Sequence, residues 1–347
     1  MVLSASSPSA LAESGNSYSY VSKQAVFAVI GIIVMYALSK FDYKKYKNLY
    51  KIAYIGSVIL LALVPIVGVE VNGAKRWIDL GFTQFQPSEV AKIGLIVFYA
   101  AYLTKNREKL KTTLGGFWKP IILLAIPIGI LVIFQDHLSA SIVIIAIIAV
   151  MMLIAGTRMR DFLTSGLGIA GLGVGALVLM SQLTGKGSFR FNRIISFLDP
   201  WADATGDGWQ VIQSLYAIGS GGLFGAGLGQ SKQKYLYLPF PHNDFIFSVI
   251  AEELGFIGCT VVILLFAIFI WRGIVIAMKA PDMFGSLLAI GITTMIGIQA
   301  IINIAVVTNS IPATGMALPF FSYGGTALVI LLASVGVLLN ISRQGNK

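Results

Sequence analysis

Long apolar runs follow one another along most of this 347-residue chain, separated by short polar stretches. The hydrocarbon core of a bilayer is about 30 Å thick, so a helix needs roughly 20 consecutive apolar residues to cross it. Because 56% of the residues are hydrophobic and only 12% are charged, a soluble domain is excluded. We predict an all-α polytopic membrane protein, a single helical bundle over residues 1–347. The candidate transmembrane helices are about nine segments: 22–38, 49–67, 88–104, 119–134, 139–155, 161–181, 245–271, 283–308 and 316–342.

Basic residues are concentrated in alternate loops between these segments. By the positive-inside rule, the loops that hold most of the lysine and arginine are cytoplasmic. Those loops contain Lys40, Lys44, Lys45, Lys47, Lys51, Lys105, Arg107, Lys109, Lys111, Lys119, Arg158, Arg160, Arg272, Lys279, Arg343 and Lys347. The other loops are then extracytoplasmic, and they include the longest, residues 182–243. The formal net charge of +10 therefore reflects membrane orientation, and nucleic acid is not an expected partner.

The large loop at 182–243 is too short and too rich in glycine and proline to bury a core of its own. We expect it to pack on the helices. Its stretch "AIGSGGLFGAGLGQ", residues 217–230, matches neither the dinucleotide-binding nor the phosphate-loop pattern of glycines. The stretch predicts a tight backbone turn lying against the membrane.

Asp244 stands where the polar loop turns into a long apolar run, in "PHNDFIFSVIAEELG". It could cap the helix, since Asp and Asn are favoured at helix starts. Asp244, Ser248 and Glu252 are spaced four residues apart and would share one helix face. A carboxylate above cations such as Lys234 also suits activation of a hydroxyl nucleophile while a phosphate leaving group is neutralised. On the residues alone, both interpretations remain open.

Lys75 and Arg76 lie in the other extracytoplasmic loop, within "NGAKRWIDL". They could extend the cationic patch below Asp244. They could equally snorkel at the membrane surface beside Trp77, an aromatic residue typical of that interface.

Further polar residues are expected to have structural or cavity roles. Pro87 is at a plausible first helical position in "FQPSEVAK", and Glu89 and Lys92 are spaced to pair along that helix. Gln299 and Asn303 share a helix face that should point into the bundle.

Metal-ligating residues are scarce. His137, His242 and the single cysteine, Cys259, are too scattered in the sequence to define a metal site. His137 is predicted to line a short extracytoplasmic turn with Asp136, and neither histidine is assigned a catalytic role.

Longer motifs resemble one family over essentially the whole chain. These motifs are "NGAKRWIDLG", "FQPSEVAK", "DPWADATGDGWQVIQSLYAIGSGGLFGAGLGQSKQKYLYLP", "HNDFIFSVIAEELGFIG", "NIAVVTNSIPATGMALPFFSYGG" and "GVLLNISR". They resemble the SEDS family of peptidoglycan glycosyltransferases, which includes FtsW, RodA and SpoVE. "GLGQSKQKYLYLP" is more similar to the FtsW and SpoVE branch than to RodA.

The resemblance implies an enzyme that polymerises lipid II on the outer face of the bacterial cytoplasmic membrane by inverting glycosyl transfer. The family's essential aspartate matches Asp244, which would be the general base, and undecaprenyl pyrophosphate would be the leaving group. Candidate substrate-binding residues are Lys75, Arg76 and Lys234 for the pyrophosphate, together with Ser248 and Glu252. Glu252 is expected to order the cavity or to pair with a cation. A class B penicillin-binding protein is the implied partner. Mg or Mn could assist the leaving group, but no ligand set is legible.

The chain departs from the family pattern in three places. The family commonly has ten helices, and "MVLSASS" resembles the outer end of its first. That helix is expected to be absent here through a misassigned start codon, a truncated gene or real divergence, and a misassigned start is favoured. "QDHLSA", residues 135–140, stands where the family has "QPDLGT", which shifts Asp136 by one position. Phe240 replaces the acid of the family's "LPE".

Two other functions are compatible with a polar cavity among many helices. A flippase for lipid-linked precursors would need polar groups along the whole crossing path, whereas the strongest ones here are predicted on one side. A non-catalytic scaffold for the division or sporulation machinery would need no base at all.

The orientation can be tested by labelling. In a Cys259→Ser background, Asp244→Cys is expected to react with a membrane-impermeant maleimide added to intact cells, because positive-inside topology places residue 244 outside. Lys45→Cys, from a predicted cytoplasmic loop, is the control and should react only after permeabilisation. The reverse pattern would contradict the topology.

Overall fold

The computed structural model describes residues 1–71, 74–81, 83–112, 114–162, 166, 175, 196–206, 208–235, 237–239 and 241–345. In these ranges seven helices are long and apolar enough to cross a membrane: Ser19–Lys40, Tyr43–Val67, Gly115–Phe134, Leu138–Ala155, Ile246–Lys279, Met283–Val307 and Gly325–Gly345. The prediction of an all-α polytopic membrane protein is confirmed. The predicted helix at 161–181 lies almost wholly outside the described residues.

The α-helices and strands are bounded as follows. The helices are α1 Val2–Ser14, α2 Ser19–Lys40, α3 Tyr50–Val67, α4 Pro87–Lys105, α5 Arg107–Thr112, α6 Leu114–Gly129, α7 Leu138–Ala155, α8 Trp209–Ser220, α9 Ile246–Lys279, α10 Met283–Val307 and α11 Gly325–Gly345. A 3-10 turn at Tyr43–Leu49 leads into α3, and a π-helical turn at Ile130–Phe134 extends α6. The strands β1 Val69–Val71, β2 Ala74–Asp79 and β3 Gln84–Phe85 form a small antiparallel sheet in the order β1-β2-β3.

Two predicted helix bounds are wrong. The predicted helix at 316–342 begins only at Gly325. Pro319 precedes this start and does not suit a helix interior, because proline lacks the N–H that a helix interior needs. Gly315 adopts a left-handed backbone with φ of 66°. Helix α9 ends at Lys279 rather than near residue 271.

The chain divides into two compact units. The first comprises residues 1–22, 159–265 and 299–323, and the second comprises 23–158, 266–298 and 324–347. The first unit holds Asp244, α8 and the glycine-rich stretch. The second holds the small sheet and the buried faces of α4 and α7.

Helix α9 is broken at Gly255, whose φ of 66° and ψ of −165° are not helical. The break frees backbone groups that the helix would otherwise pair, and the glycine-rich loop after α8 pairs them instead. Ala226 and Gly227 donate N–H groups to the carbonyl oxygens of Glu252 and Glu253 at 2.9 and 3.0 Å. On the other side of the break, N–H groups at positions 256 and 257 donate to carbonyl oxygens at 222 and 223. Non-helical backbone in an apolar span is tolerated where protein satisfies its polar groups in this way.

Glycine is required at the contact between this loop and α9. A Cβ on Gly225 would overlap the carbonyl oxygen of Glu253, and one on Gly255 would overlap the backbone of Gly225. The sequence prediction of a tight backbone turn at 217–230 is therefore confirmed from Gly221 onward, while 217–220 is the end of α8.

A pair of glycine variants separates close packing from backbone strain. Gly225 and Gly229 have nearly the same φ, 81° and 82°, but only Gly225 has atoms within 4 Å of where a Cβ would stand. Gly229→Ala should cost about 1 kcal/mol from left-handed strain alone. Gly225→Ala should cost roughly 1–3 kcal/mol more from overpacking, seen as a lower melting temperature in detergent. Equal melting temperatures for the two variants would contradict the close contact.

Candidate functional site

Asp244 lies in a turn two residues before α9 begins, and its side chain is half-buried. Ser248 and Glu252 lie on α9 itself. The helix face predicted for all three residues therefore applies only to the last two, because Asp244 precedes the helix.

Three successive backbone carbonyl oxygens in this turn accept hydrogen bonds from the segment between α10 and α11 or from α10 itself. The donors and distances are Tyr323 N–H to His242 at 2.8 Å, the Ser322 hydroxyl to Asn243 at 2.6 Å, and the Asn303 side-chain amide to Asp244 at 2.7 Å. The backbone that carries Asp244 is thus fixed at every residue from 242 to 244.

Both side-chain donors are themselves held. The Asn303 amide donates its second proton to the carbonyl oxygen of Met316 at 2.6 Å, and the Ser322 hydroxyl accepts from the Leu318 N–H at 2.8 Å. Asn303 and Gln299 are 1% and 6% exposed, which confirms that this face of α10 points inward.

Gly315 lies beside the Asp244 carboxylate. A Cβ at Gly315 would stand 3.3 Å from Oδ2 of Asp244, and the φ of 66° at this position already favours glycine. The absence of a side chain at Gly315 leaves that flank of the carboxylate unobstructed by residue 315.

His242 is buried between two aromatic rings. Its ring centroid lies 4.8 Å from that of Tyr20 and 5.9 Å from that of Tyr323. Burial lowers the pKa of His242, and the nearby charge of Glu13 opposes this shift. The imidazole is therefore neutral at neutral pH, and its ring packs against Tyr20 and Tyr323.

Glu252 anchors the loop that precedes Asp244. Its carboxylate accepts hydrogen bonds from the Ser231 hydroxyl, from the Lys232 N–H at 2.8 Å and from the Gln233 N–H at 3.4 Å. Glu252 is buried, so its observed role is to hold residues 231–233 against α9. Its predicted contact with substrate stays a prediction.

Lys234 forms a buried ion pair with Glu253. The two side chains are 2% and 0% exposed, and Nζ lies 2.9 Å from Oε1. The ammonium also donates to the Gly229 carbonyl oxygen at 2.7 Å and to the Ser4 hydroxyl at 3.1 Å. All three ammonium protons are thus engaged. Pyrophosphate binding by Lys234, which stays a prediction, would require one of these bonds to be exchanged.

Ser248 is fully buried and ties three helices together. Its hydroxyl lies 2.7 Å from that of Ser214 on α8, and Ser214 donates to the Val307 carbonyl oxygen on α10. These bonds confirm that part of the large loop packs on the helices. Ser248 has no exposed surface, and its predicted contact with substrate stays a prediction.

The second unit holds the other predicted cations. Lys75 is exposed on β2. Arg76 on the same strand donates to the carbonyl oxygens of Gln135, at 3.4 Å, and Asp136. Asp136 has a φ of 48°, so Arg76 braces a left-handed turn between the π-helical turn and α7. The predicted short turn at Asp136 and His137 is thereby confirmed, while its extracytoplasmic position stays a prediction.

Glu89 and Lys92 pair as predicted. Their side chains are 2.8 Å apart on α4, with Pro87 in the first turn of that helix. Burial, with the charges of Arg76 and Lys92, lowers the pKa of His137 to about 3, so this histidine is neutral.

No set of metal ligands is formed within the described part of the chain. Groups of three or more His, Cys, Asp or Glu side chains that could hold one ion do not occur there. A Mg or Mn ion would thus have no set of three or more such protein ligands among the described residues.

Sequence reasoning missed Ser322, Gly315 and Ser231. The first two fall in a segment that was assigned partly to a helix. The cluster of Pro312, Gly315 and Pro319 was the available signal for an ordered loop there. The Ser231 contact with Glu252 had no signal in the sequence, because it joins positions 21 residues apart through a loop.

The fold and site define a polytopic helical membrane protein with a half-buried carboxylate on a fixed turn. The family model for FtsW, RodA and SpoVE cell-cycle proteins matches residues 1–347, and the chain belongs to this family.

Proteins with similar sequences carry names from the same family. The chain is 44% identical over 346 residues to the stage V sporulation protein E of Bacillus subtilis strain 168, covering 99% of this chain and 92% of the relative. It is 42% identical over 346 residues to a probable peptidoglycan glycosyltransferase FtsW of Geobacter sp. strain M18, with the same coverage.

Solved structures are similar over almost the whole chain. A chain of a peptidoglycan synthase complex, described as coordinating polymerization and crosslinking, superposes with a TM-score of 0.80 at 30% identity, covering 99% of this chain and 96% of that one. The rod shape determining protein RodA of Thermus thermophilus gives a TM-score of 0.70 at 28% identity, covering 99% and 94%.

The buried ion pair predicts a specific stability pattern. Lys234→Met should destabilise the protein by about 3–5 kcal/mol, because it leaves Glu253 buried without a counter-charge. Adding Glu253→Gln should recover much of this loss, since an amide needs no counter-charge. Thermal unfolding in detergent measures both, with exposed Lys232→Met as the control. A single variant as stable as the double variant would contradict the role of the pair.

Proposed function

We propose that this chain is a peptidoglycan glycosyltransferase that polymerises lipid II on the outer face of the cytoplasmic membrane, with Asp244 as general base. Membership of the FtsW, RodA and SpoVE family supports the activity. The observation that carries the role of Asp244 is its setting: a half-buried carboxylate on a turn fixed by three hydrogen bonds, with a glycine beside Oδ2. A general base must be fixed in place and open to the hydroxyl whose proton it takes.

The proposed step transfers one sugar with inversion. The Asp244 carboxylate accepts the proton of the acceptor's 4-hydroxyl as that oxygen attacks the anomeric carbon of the donor's N-acetylmuramic acid. The new C–O bond forms while the bond from that carbon to the pyrophosphate oxygen breaks. Undecaprenyl pyrophosphate leaves with the bonding electron pair. Positioning and proton transfer together account for a large rate enhancement in such reactions.

The leaving group gathers negative charge, which cations can stabilise. Lys75 and Arg76 are proposed for this role: Lys75 is exposed, and Arg76 lies on the same strand. Lys234 joins them only if it exchanges one of its present partners. Glu252 and Ser248 stabilise the site indirectly. Glu252 holds the loop that precedes Asp244, and Ser248 joins α9 to α8.

A class B penicillin-binding protein is the proposed partner. The similar solved structure that couples polymerization to crosslinking supports this pairing. The distribution of basic loops supports an extracytoplasmic position for the site.

The activity can be tested with purified protein, its partner and lipid II. Wild type should produce glycan chains, and Asp244→Asn should reduce the rate by about 10²–10⁴-fold, because it removes the base while keeping the shape of the side chain. Polymer lengths are read on gels. Asp282→Asn, on a carboxylate that bonds Tyr43 in the second unit, is the control and should retain activity.

The outcomes distinguish the candidate functions. Wild-type rates from Asp244→Asn would overturn the base assignment. Transport of lipid II across vesicle membranes without polymer would favour a flippase. Assembly of the complex with neither activity would favour a scaffold.

A further inference from the structure

The segment between α10 and α11, residues 308–324, carries no charged side chain, yet it supplies much of the environment of Asp244. Its Tyr323 N–H and Ser322 hydroxyl hold the two carbonyl oxygens before Asp244, and its Gly315 lies beside the carboxylate. Asn303, near the end of α10, binds the carbonyl oxygen of Asp244 and that of Met316 within the segment. Asn303 therefore joins the segment and the base in one hydrogen-bonded unit.

We propose that Ser322 and Asn303 are positioning residues of the glycosyl transfer, holding the Asp244 carboxylate at the distance and angle that proton abstraction requires. This inference rests on the proposed function of Asp244. Neither side chain needs to touch the substrate, because both act through the backbone that carries the base.

The geometry favours a positioning role over simple packing. The Ser322 hydroxyl accepts a hydrogen bond from the Leu318 N–H and donates one to the carbonyl oxygen of Asn243. Loss of this hydroxyl would therefore remove one of the links between the turn and the segment. Asn303 uses both amide protons, one on each side. Displacement of a reacting group by about 1 Å can reduce a rate by roughly 10²-fold. Small shifts at residues 242–244 are therefore enough to affect catalysis in a folded protein.

The hydrogen bonds of these two residues to carbonyl oxygens act on the backbone of the turn. Their loss should therefore move the base without removing a contact to the substrate. The expected signature is a lower kcat with KM retained.

The test measures initial rates of lipid II polymerisation by the full chain with its partner, over a range of lipid II concentrations and pH values. Ser322→Ala should lower kcat about tenfold with KM changed less than about twofold, as expected for one lost hydrogen bond that acts on positioning. Ser322→Thr keeps the hydroxyl and should restore most of kcat. Asn303→Ala, which removes two bonds, should lower kcat further.

Ser334→Ala is the matched control. Ser334 is also a buried serine whose hydroxyl donates to a backbone carbonyl, that of Ile330 at 2.8 Å within α11. It should retain the wild-type kcat. Melting temperatures and gel filtration establish that each variant is folded, and rates are expressed per folded protein.

The results separate this inference from the proposed function. If Asp244→Asn is inactive while Ser322→Ala and Asn303→Ala keep the wild-type kcat, the positioning role is wrong and the base assignment stands. A raised KM with unchanged kcat in both variants would also overturn it. If Asp244→Asn is fully active, the base assignment fails and the positioning role fails with it.

Discussion

The need to satisfy every backbone polar group in an apolar setting governs the first unit of this protein. Helix α9 is broken at Gly255, and the glycine-rich loop at 221–229 pairs the backbone groups on both sides of the break. That contact is possible only because glycines meet backbone to backbone. It brings the end of the loop to Glu252 and Glu253, which then hold residues 231–234 by hydrogen bonds and an ion pair. The chain that leads to Asp244 is thereby fixed at its start.

The site has two kinds of support with different costs. At the beginning of the 231–244 segment, charged groups are buried, and their desolvation must be offset by several well-placed partners. At its end, neutral donors hold three carbonyl oxygens of the turn that carries Asp244.

Much of this was predictable from the sequence. Apolar runs of membrane-spanning length located most of the helices, the 87–92 pattern predicted the Glu89–Lys92 pair, and inward spacing predicted the burial of Gln299 and Asn303. Hydropathy could not find the start of α11 at Gly325, since residues 316–321 are nearly as apolar as the helix that follows. It also could not show that Lys234 faces Glu253, because a buried ion pair between a loop and a helix leaves no periodic pattern. The contacts that depend on loops were the ones missed.

The hydrogen bonds around Asp244 also bear on how the molecule matures. Asp244 belongs to the turn before α9, but the donors to this turn come from residues 303, 322 and 323, which lie 59 to 79 positions after Asp244 in the chain. During insertion into a membrane, the earlier turn leaves the ribosome first and must wait without these donors. The hydrogen bonds that hold the turn at residues 242–244 can thus form only after α10 has been inserted and residues 308–324 have folded back. A nascent chain stalled before that point would contain Asp244 but lack the hydrogen bonds that hold its turn in place.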